Sequence, residues 1–223
     1  MKILALDTST ELCSVALWLD GELLVRAELA GQRHSELVLP MVHGLLGEAG
    51  LSLSALDGVA FGEGPGSFTG LRIGCGVAQG LAFGGDLPVV GVCTLLALAE
   101  ASGASRAIAC LDARMGEVYH AVYEKLDGEW QTLSAPGLGL PQDAPEVAGV
   151  GWTGCGSGFA AYGEALGERY AERIEAVRAE LLPHAAQIAG LGAVQFARGL
   201  GRDAAEAAPL YVRNKVALKT SER

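Results

Sequence analysis

Lys2-Ile3-Leu4-Ala5-Leu6-Asp7-Thr8-Ser9-Thr10-Glu11-Leu12-Cys13-Ser14-Val15-Ala16-Leu17-Trp18-Leu19-Asp20-Gly21 decides the fold. Ile3 to Leu6 is an apolar run long enough for a buried strand. The polar patch from Asp7 to Glu11 breaks it, and Ser14 to Leu19 resumes. Asp20-Gly21 then supplies the two residues that tolerate positive φ in a tight hairpin, leading into Leu23 to Leu29. Three antiparallel strands follow, with Asp7-Thr8-Ser9 at the turn where the first strand ends.

Downstream, a helix is expected from His34-Ser35-Glu36 to Glu48-Ala49-Gly50, stopped by Gly50 and kinked or shifted by Pro40. Val59 to Phe61 reads as a short buried strand. Gly62-Glu63-Gly64-Pro65-Gly66-Ser67-Phe68-Thr69-Gly70 reads as a loop, and Leu71 to Phe83 as a second helix. After Pro88, Val89 to Val92 is a strand and Leu95 to Ala101 a helix. Three strands, helix, strand, helix, strand, helix is an α/β layered order. Residues 106–112 and 117–124 are strands joined by a turn at Arg114-Met115-Gly116, opening a second, reduced unit of the same kind. The boundary falls near residue 104, giving units 1–104 and 105–223. Gly151 to Gly158 is a second glycine-rich loop, Phe159 to Leu166 and Ala185 to Arg198 are helices, and Ala135 to Pro145 is a surface loop.

Half of the residues are hydrophobic and 19% are charged, which excludes a disordered chain. The 32 glycines follow no Gly-X-Y period and so must serve turns and close backbone approaches. The net charge is -10, and residues 1–105 hold 4 basic against 11 acidic side chains. A protein that held RNA alone would show a basic face, so this chain is expected to need help to hold RNA. Relief comes late, where Arg198, Arg202, Arg213, Lys215, Lys219 and Arg223 outnumber Asp203, Glu206 and Glu222. Cys13, Cys75, Cys93, Cys110 and Cys155 are odd in number and lack a C-x-x-C pair, so neither a disulfide framework nor a zinc knuckle is expected. An early acidic residue and the lack of a long apolar run argue against a signal peptide or membrane span and for the cytoplasm.

Asp7-Thr8-Ser9 offers hydroxyls and amides to a phosphate and a carboxylate to a metal-bound water, although the same turn also arises simply to satisfy its own backbone. The Gly62 to Gly70 loop has neither the Walker lysine nor G-x-G-x-x-G spacing. His34 and His43, nine positions apart, lie on opposite helix faces, and no H-E-x-x-H or G-x-S-x-G is present, so no metal site is expected. In or beside the second helix Gly70 and Gly74 are four apart, and Gly76, Gly80 and Gly84 repeat the same interval. Each interior glycine costs about 1 kcal/mol relative to alanine. A stripe without side chains admits another backbone, which is either this chain's own or that of another subunit. The apolar residues of the first helix favour the subunit reading.

Ile3 to Thr10, His34-Ser35-Glu36 with Leu39-Pro40, and Gly64-Pro65-Gly66-Ser67-Phe68-Thr69-Gly70-Leu71-Arg72-Ile73-Gly74 together resemble the bacterial TsaB family, formerly called YeaZ. Asp112 to Tyr119 and Pro209-Leu210-Tyr211-Val212-Arg213 carry the resemblance further. It implies a duplicated actin-like and sugar-kinase-like (ASKHA) α/β fold in two lobes, with mixed sheets flanked by helices. It also implies a non-catalytic, cofactor-free partner of the enzyme TsaD and, through it, of the ATPase TsaE. That complex transfers threonylcarbamoyl from its adenylate to the adenosine beside the anticodon of tRNA. Asp7, Thr8 and Ser9 would then be a vestigial cofactor site. His34, Val38, Met41, Val42 and Leu45 of the first helix, with Arg72, Gly76, Gln79, Gly80 and Phe83 of the second, would form the surface for TsaD, or for a second copy when the chain is alone. The rival is an ATP-dependent phosphotransferase or ATPase of the same fold, with Asp7 and Asp112 as paired acids and Gly154 to Gly158 near the nucleotide. A second rival is a peptidase, against which the absence of a zinc motif and a nucleophile motif from this sequence speaks.

Overall fold

The computed structural model describes residues 1–213, so Lys215, Lys219, Glu222 and Arg223 of the basic stretch lie outside the described residues. β1 (Lys2–Asp7), β2 (Leu12–Leu19) and β3 (Glu22–Leu29) form the expected antiparallel meander. Asp20 and Gly21 both take positive φ, 53° and 107°, in the hairpin turn. β4 (Gly58–Gly64) and β5 (Val89–Cys93) then pair in parallel, giving the sheet order β3-β2-β1-β4-β5. α1 (His34–Ala49) and α2 (Phe68–Gly85) intervene, and α3 (Thr94–Ser102) follows β5.

The second sheet repeats this plan strand for strand. β6 (Arg106–Asp112), β7 (Val118–Leu126) and β8 (Glu129–Gly139) are antiparallel, and β9 (Trp152–Cys155) and β10 (Ile174–Arg178) are parallel beside β6, in the order β10-β9-β6-β7-β8. The repeat has lost its first long helix. α4 (Ser157–Ala161) and α5 (Gly163–Tyr170) stand where α2 stood, and α6 (Ala185–Ala197) where α3 stood.

β1 alternates between two apolar layers, as a strand buried on both faces must. Leu4 and Leu6 join Val38, Met41, Val42 and Leu45 of α1 and Cys75, Ala78 and Ala82 of α2. Ile3 and Ala5 join Ala16, Ala60 and Val90 under Ala185, Ile188 and Ala189 of α6. The small residues of the second layer let α6 lie close, and a Cβ on Gly192 would come within 2.7 Å of the Ala60 Cβ. The two lobes thus exchange helices. α6 covers the first sheet, while Leu95, Leu98 and Ala99 of α3 pack on Ala107, Ala109, Leu111 and Ala121 of the second. The loop near residue 104 separates the two sheets but not their helical cover.

Three expected boundaries are corrected. α2 starts at Phe68 rather than Leu71, because the Ser67 side chain caps it by accepting from the Gly70 N–H. Ala135 to Pro145 is not a free loop, since β8 runs to Gly139. Its register against β7 is irregular around His120 and Val122, where Pro136 escapes the need to donate. The expected helix from Phe159 to Leu166 is two, broken at Tyr162, whose φ of -133° and ψ of 37° lie outside the helical region. Gly50 ends α1 in the left-handed conformation as expected, and the helix runs through Pro40.

Candidate functional site

The lobes face each other across a cleft of about 1120 Å³. Its walls come from the β1–β2 turn, the residues leading into α1 and α2, the β6–β7 turn and the segment Leu210 to Arg213. Two candidate regions are the polar turn after β1, which reaches the cleft at Ser9, and the outer face of α2.

Asp7, Thr8 and Ser9 are 0%, 1% and 1% exposed, and only Ser9 lines the cleft. The Ser9 N–H and Oγ–H both donate to Asp7 Oδ1, at 3.1 and 2.9 Å. The Thr8 hydroxyl donates to the Gly70 carbonyl at 2.7 Å. Among the described residues Asp7 Oδ2 has no hydrogen-bond partner, and it presses on Gly62, where a Cβ would lie 1.9 Å away. Burial raises the Asp7 pKa to about 6, only partly opposed by the two Ser9 bonds. A carboxyl so enclosed does not line the cleft, and its turn satisfies Oδ1 but not Oδ2.

Asp112, the other half of the rival acid pair, does line the cleft. Its Oδ1 accepts from the Tyr162 hydroxyl at 3.1 Å and the Arg114 N–H at 2.8 Å, and its Oδ2 pairs with Arg114 at 3.1 Å. Asp7 and Asp112 therefore do not face one another across the cleft, because Asp7 does not line it. The expected glycine-rich loop from Gly151 to Gly158 is largely the strand β9 and the start of α4, and the glycines from Gly154 to Gly158 serve packing. A Cβ on Gly156 or Gly158 would meet Cys110 at 2.4 or 2.8 Å, and one on Gly154 would meet Phe159 at 2.5 Å. His34 is buried with its Nε2 on the Thr10 carbonyl at 2.8 Å, and His43 is exposed on the other side of α1. Among the described residues no group of three or more metal-ligating side chains converges, and no helix is long and apolar enough to cross a membrane.

The glycine stripe divides. Gly70 and Gly74 take the turn after β1, and added Cβ atoms would fall 2.0 Å from the Thr8 carbonyl oxygen and 2.6 Å from Thr8 Oγ1. Gly76, Gly80 and Gly84 would meet nothing within 4 Å. The first pair therefore serves close packing within the chain, and the other three form a bare outward stripe. Arg72 and Phe83 lie on the same side of α2, with Phe83 86% exposed, and Gln79 beside them is half-buried. The α1 residues stand differently. His34, Val38, Met41, Val42 and Leu45 are at most 9% exposed, and the four apolar ones face the chain's own first sheet. Their apolar character is explained by that core, so from α1 a partner can meet only outward residues such as Leu39.

Sequence reasoning placed no role on the C-terminal segment beyond a resemblance. It is a strap across the cleft. Gln79 Nε2 donates to the Ala207 carbonyl at 3.0 Å, and the Leu210 N–H to the Glu63 carbonyl at 2.7 Å. Arg72 Nε donates to the Tyr211 hydroxyl at 3.0 Å. Arg213 reaches the opposite lobe, bonding the Ala113 carbonyl at 3.0 Å and pairing with Glu117 at 2.7 Å. The contacts join residues from 96 positions apart (Glu117 and Arg213) to 147 (Glu63 and Leu210), and no local pattern announces them.

The family model for TsaD, tRNA N6-adenosine threonylcarbamoyltransferase, matches residues 25–218. The tRNA threonylcarbamoyladenosine biosynthesis protein TsaB of Escherichia coli is 41% identical over 98% of this chain and 97% of its own length. The Haemophilus influenzae protein of the same name is 38% identical over 98% of this chain and 96% of its own. Among solved structures, YeaZ from Pseudomonas aeruginosa is 43% identical, with a TM-score of 0.87 over 94% of this chain and 99% of that one. Two mixed sheets in a duplicated, actin-like arrangement and near full-length similarity agree: the chain belongs to the TsaB family.

Proposed function

We propose that this chain acts in tRNA threonylcarbamoyladenosine biosynthesis as a non-catalytic subunit that docks a TsaD-family enzyme on the outer face of α2. In this reading TsaE joins through that pair, tRNA is held mainly by the other subunits, and a second copy of the chain takes the same face when no partner is present. Its own turn after β1 is a vestige of a nucleotide site and binds no cofactor.

The observation that carries the reading is the bare stripe of Gly76, Gly80 and Gly84 beside Phe83, on a helix that lies otherwise against its own sheet. An exposed aromatic beside a glycine floor suits a second helix at close range, because the floor lets backbones approach and the aromatic supplies an anchor. The enclosure of Asp7 supports the non-catalytic part. The match of the chain to the family model of the TsaD enzyme supports descent from a common fold.

The test is a pull-down of the TsaD-family protein from the same organism by the purified chain. Gly80→Trp should abolish capture while far-ultraviolet circular dichroism stays unchanged. Undiminished capture with both Gly76 and Gly80 replaced by bulky residues contradicts the docking face. ATP turnover by the chain alone at an ordinary enzymatic rate, lost in Asp7→Ala, supports the rival phosphotransferase.

A further inference from the structure

We propose that Arg72, stacked on Phe68 and held by the Tyr211 hydroxyl, is a preorganised receptor for a carboxylate on the docking helix of the TsaD-family partner. The inference rests on the docking reading above and adds the chemistry that sets the partner's register and direction.

α2 has 18 residues, and Arg72 is the only charged one. It follows that any electrostatic recognition along this helix passes through that guanidinium. The group is already placed. Its central carbon lies 3.8 Å from the Phe68 ring centroid and 6.0 Å from that of Tyr211. The two rings are themselves 5.6 Å apart. The Nε–H is taken by the Tyr211 hydroxyl at 3.0 Å, which orients the planar fork and leaves its two Nη groups to a ligand. Among the described residues no carboxylate comes within 4.0 Å of Arg72. Phe68 and Tyr211 remain 38% and 46% exposed, enough to form the apolar rim that excludes water once a partner is seated.

Tyr211 holds this position through the strap. Leu210 is bonded to Glu63 behind it, and Arg213 is anchored on Glu117 and Ala113 beyond it. An arginine on a long flexible stem would otherwise lose rotamer entropy on binding, and the clamp removes much of that cost in advance.

Charge complementarity selects the occupant. The chain carries -10 overall, so an acidic group on a partner is repelled by most of this surface and received at Arg72. Arg72, Gly76, Gly80 and Phe83 follow one another at intervals of four, four and three residues on one face. The matching helix bears an Asp or Glu at one end of the contact, small or apolar residues along the glycine floor, and a pocket for Phe83 about three turns away. A cation at one end and an aromatic at the other give the surface a direction.

The experiment measures the affinity of the full chain for the TsaD-family protein by calorimetry at low and high salt, with melting curves as the fold control. Arg72→Glu is expected to weaken binding by about 30-fold or more, the loss typical of breaking a desolvated interfacial ion pair. Arg72→Lys should recover only part of it, because an ammonium cannot stack as a plane. Tyr211→Phe keeps the ring, loses the hydroxyl and should weaken binding by less than Arg72→Glu. Reversing one partner carboxylate to lysine should restore the Arg72→Glu chain. Binding by Arg72→Glu within about twofold of wild type overturns the receptor, and if Gly80→Trp still abolishes binding the docking face itself stands. Loss in Arg72→Glu that no partner charge reversal restores overturns the carboxylate assignment. If neither Arg72→Glu nor Gly80→Trp weakens binding, the docking face and the receptor fall together.

Discussion

Replacing Gly76 and Gly80 by alanine should make the isolated chain more stable, whereas the same change at Gly70 or Gly74, in the same helix at the same spacing, should make it less so. Each exposed glycine in a helix interior costs about 1 kcal/mol relative to alanine. A Cβ at 76 or 80 meets nothing within 4 Å, so that cost is recovered without a clash. The pair should contribute up to about 2 kcal/mol, which for a chain of this size is roughly 4–8 °C in Tm. At Gly70 a Cβ would sit 2.0 Å from the Thr8 carbonyl oxygen, and at Gly74 2.6 Å from Thr8 Oγ1. The turn after β1 would have to move and its hydrogen bond to Gly70 would be strained, so each of these changes should cost about 1–3 kcal/mol. Differential scanning calorimetry at a concentration low enough to keep the chain monomeric reads all four. Carrying bulk further, Gly80→Leu should keep the gain in Tm and lose the TsaD-family partner. A protein stabilised by the very change that stops it binding has kept glycine for the sake of the complex. A fall in Tm for Gly76→Ala or Gly80→Ala would refute the reasoning, because it would mean that the stripe is already occupied within the chain.

Three further outcomes are expected. Asp7 titrates near 6 in the folded chain against a normal 3.8, so the folded state binds the proton more tightly. Its share of stability is therefore greatest below about pH 4 and is lost as the pH rises through about 6, a change of up to about 3 kcal/mol. Asp7→Asn should flatten that part of a denaturation series run across pH. Phe83→Ser should leave Tm nearly unchanged, because the ring is 86% exposed, yet weaken partner capture or self-association, as read by sedimentation velocity. Arg213→Ala removes a half-buried pair with Glu117 and the bond to Ala113. It should cost about 1–2 kcal/mol and speed amide hydrogen exchange across Ala113 to Glu117 in the opposite lobe.

How far the sequence could be read depends on how local each cause is. The Asp20-Gly21 turn and the Gly50 stop were legible because a positive φ needs particular residues at particular positions. The start of α2 was misplaced because Gly-Pro-Gly-Ser-Phe-Thr-Gly has a loop's composition, while the cap at Ser67 depends on one side-chain hydrogen bond. The α1 stripe of Val38, Met41, Val42 and Leu45 was correctly apolar, but periodicity cannot say which surface covers it, and the first sheet does. The five spaced glycines among the six of α2 suggest one stripe and serve two purposes, a division set by Thr8 more than sixty residues away. The exchange of α3 and α6 between sheets and the strap from Ala207 to Arg213 depend entirely on such distant contacts.

Hydroxyl-radical footprinting at Phe83 tests the central claim most directly. The ring is 86% exposed in the chain alone, and its oxidation should fall severalfold when a stoichiometric complex with the TsaD-family protein forms. Unchanged oxidation of Phe83 in that same complex would place the partner elsewhere and contradict the account.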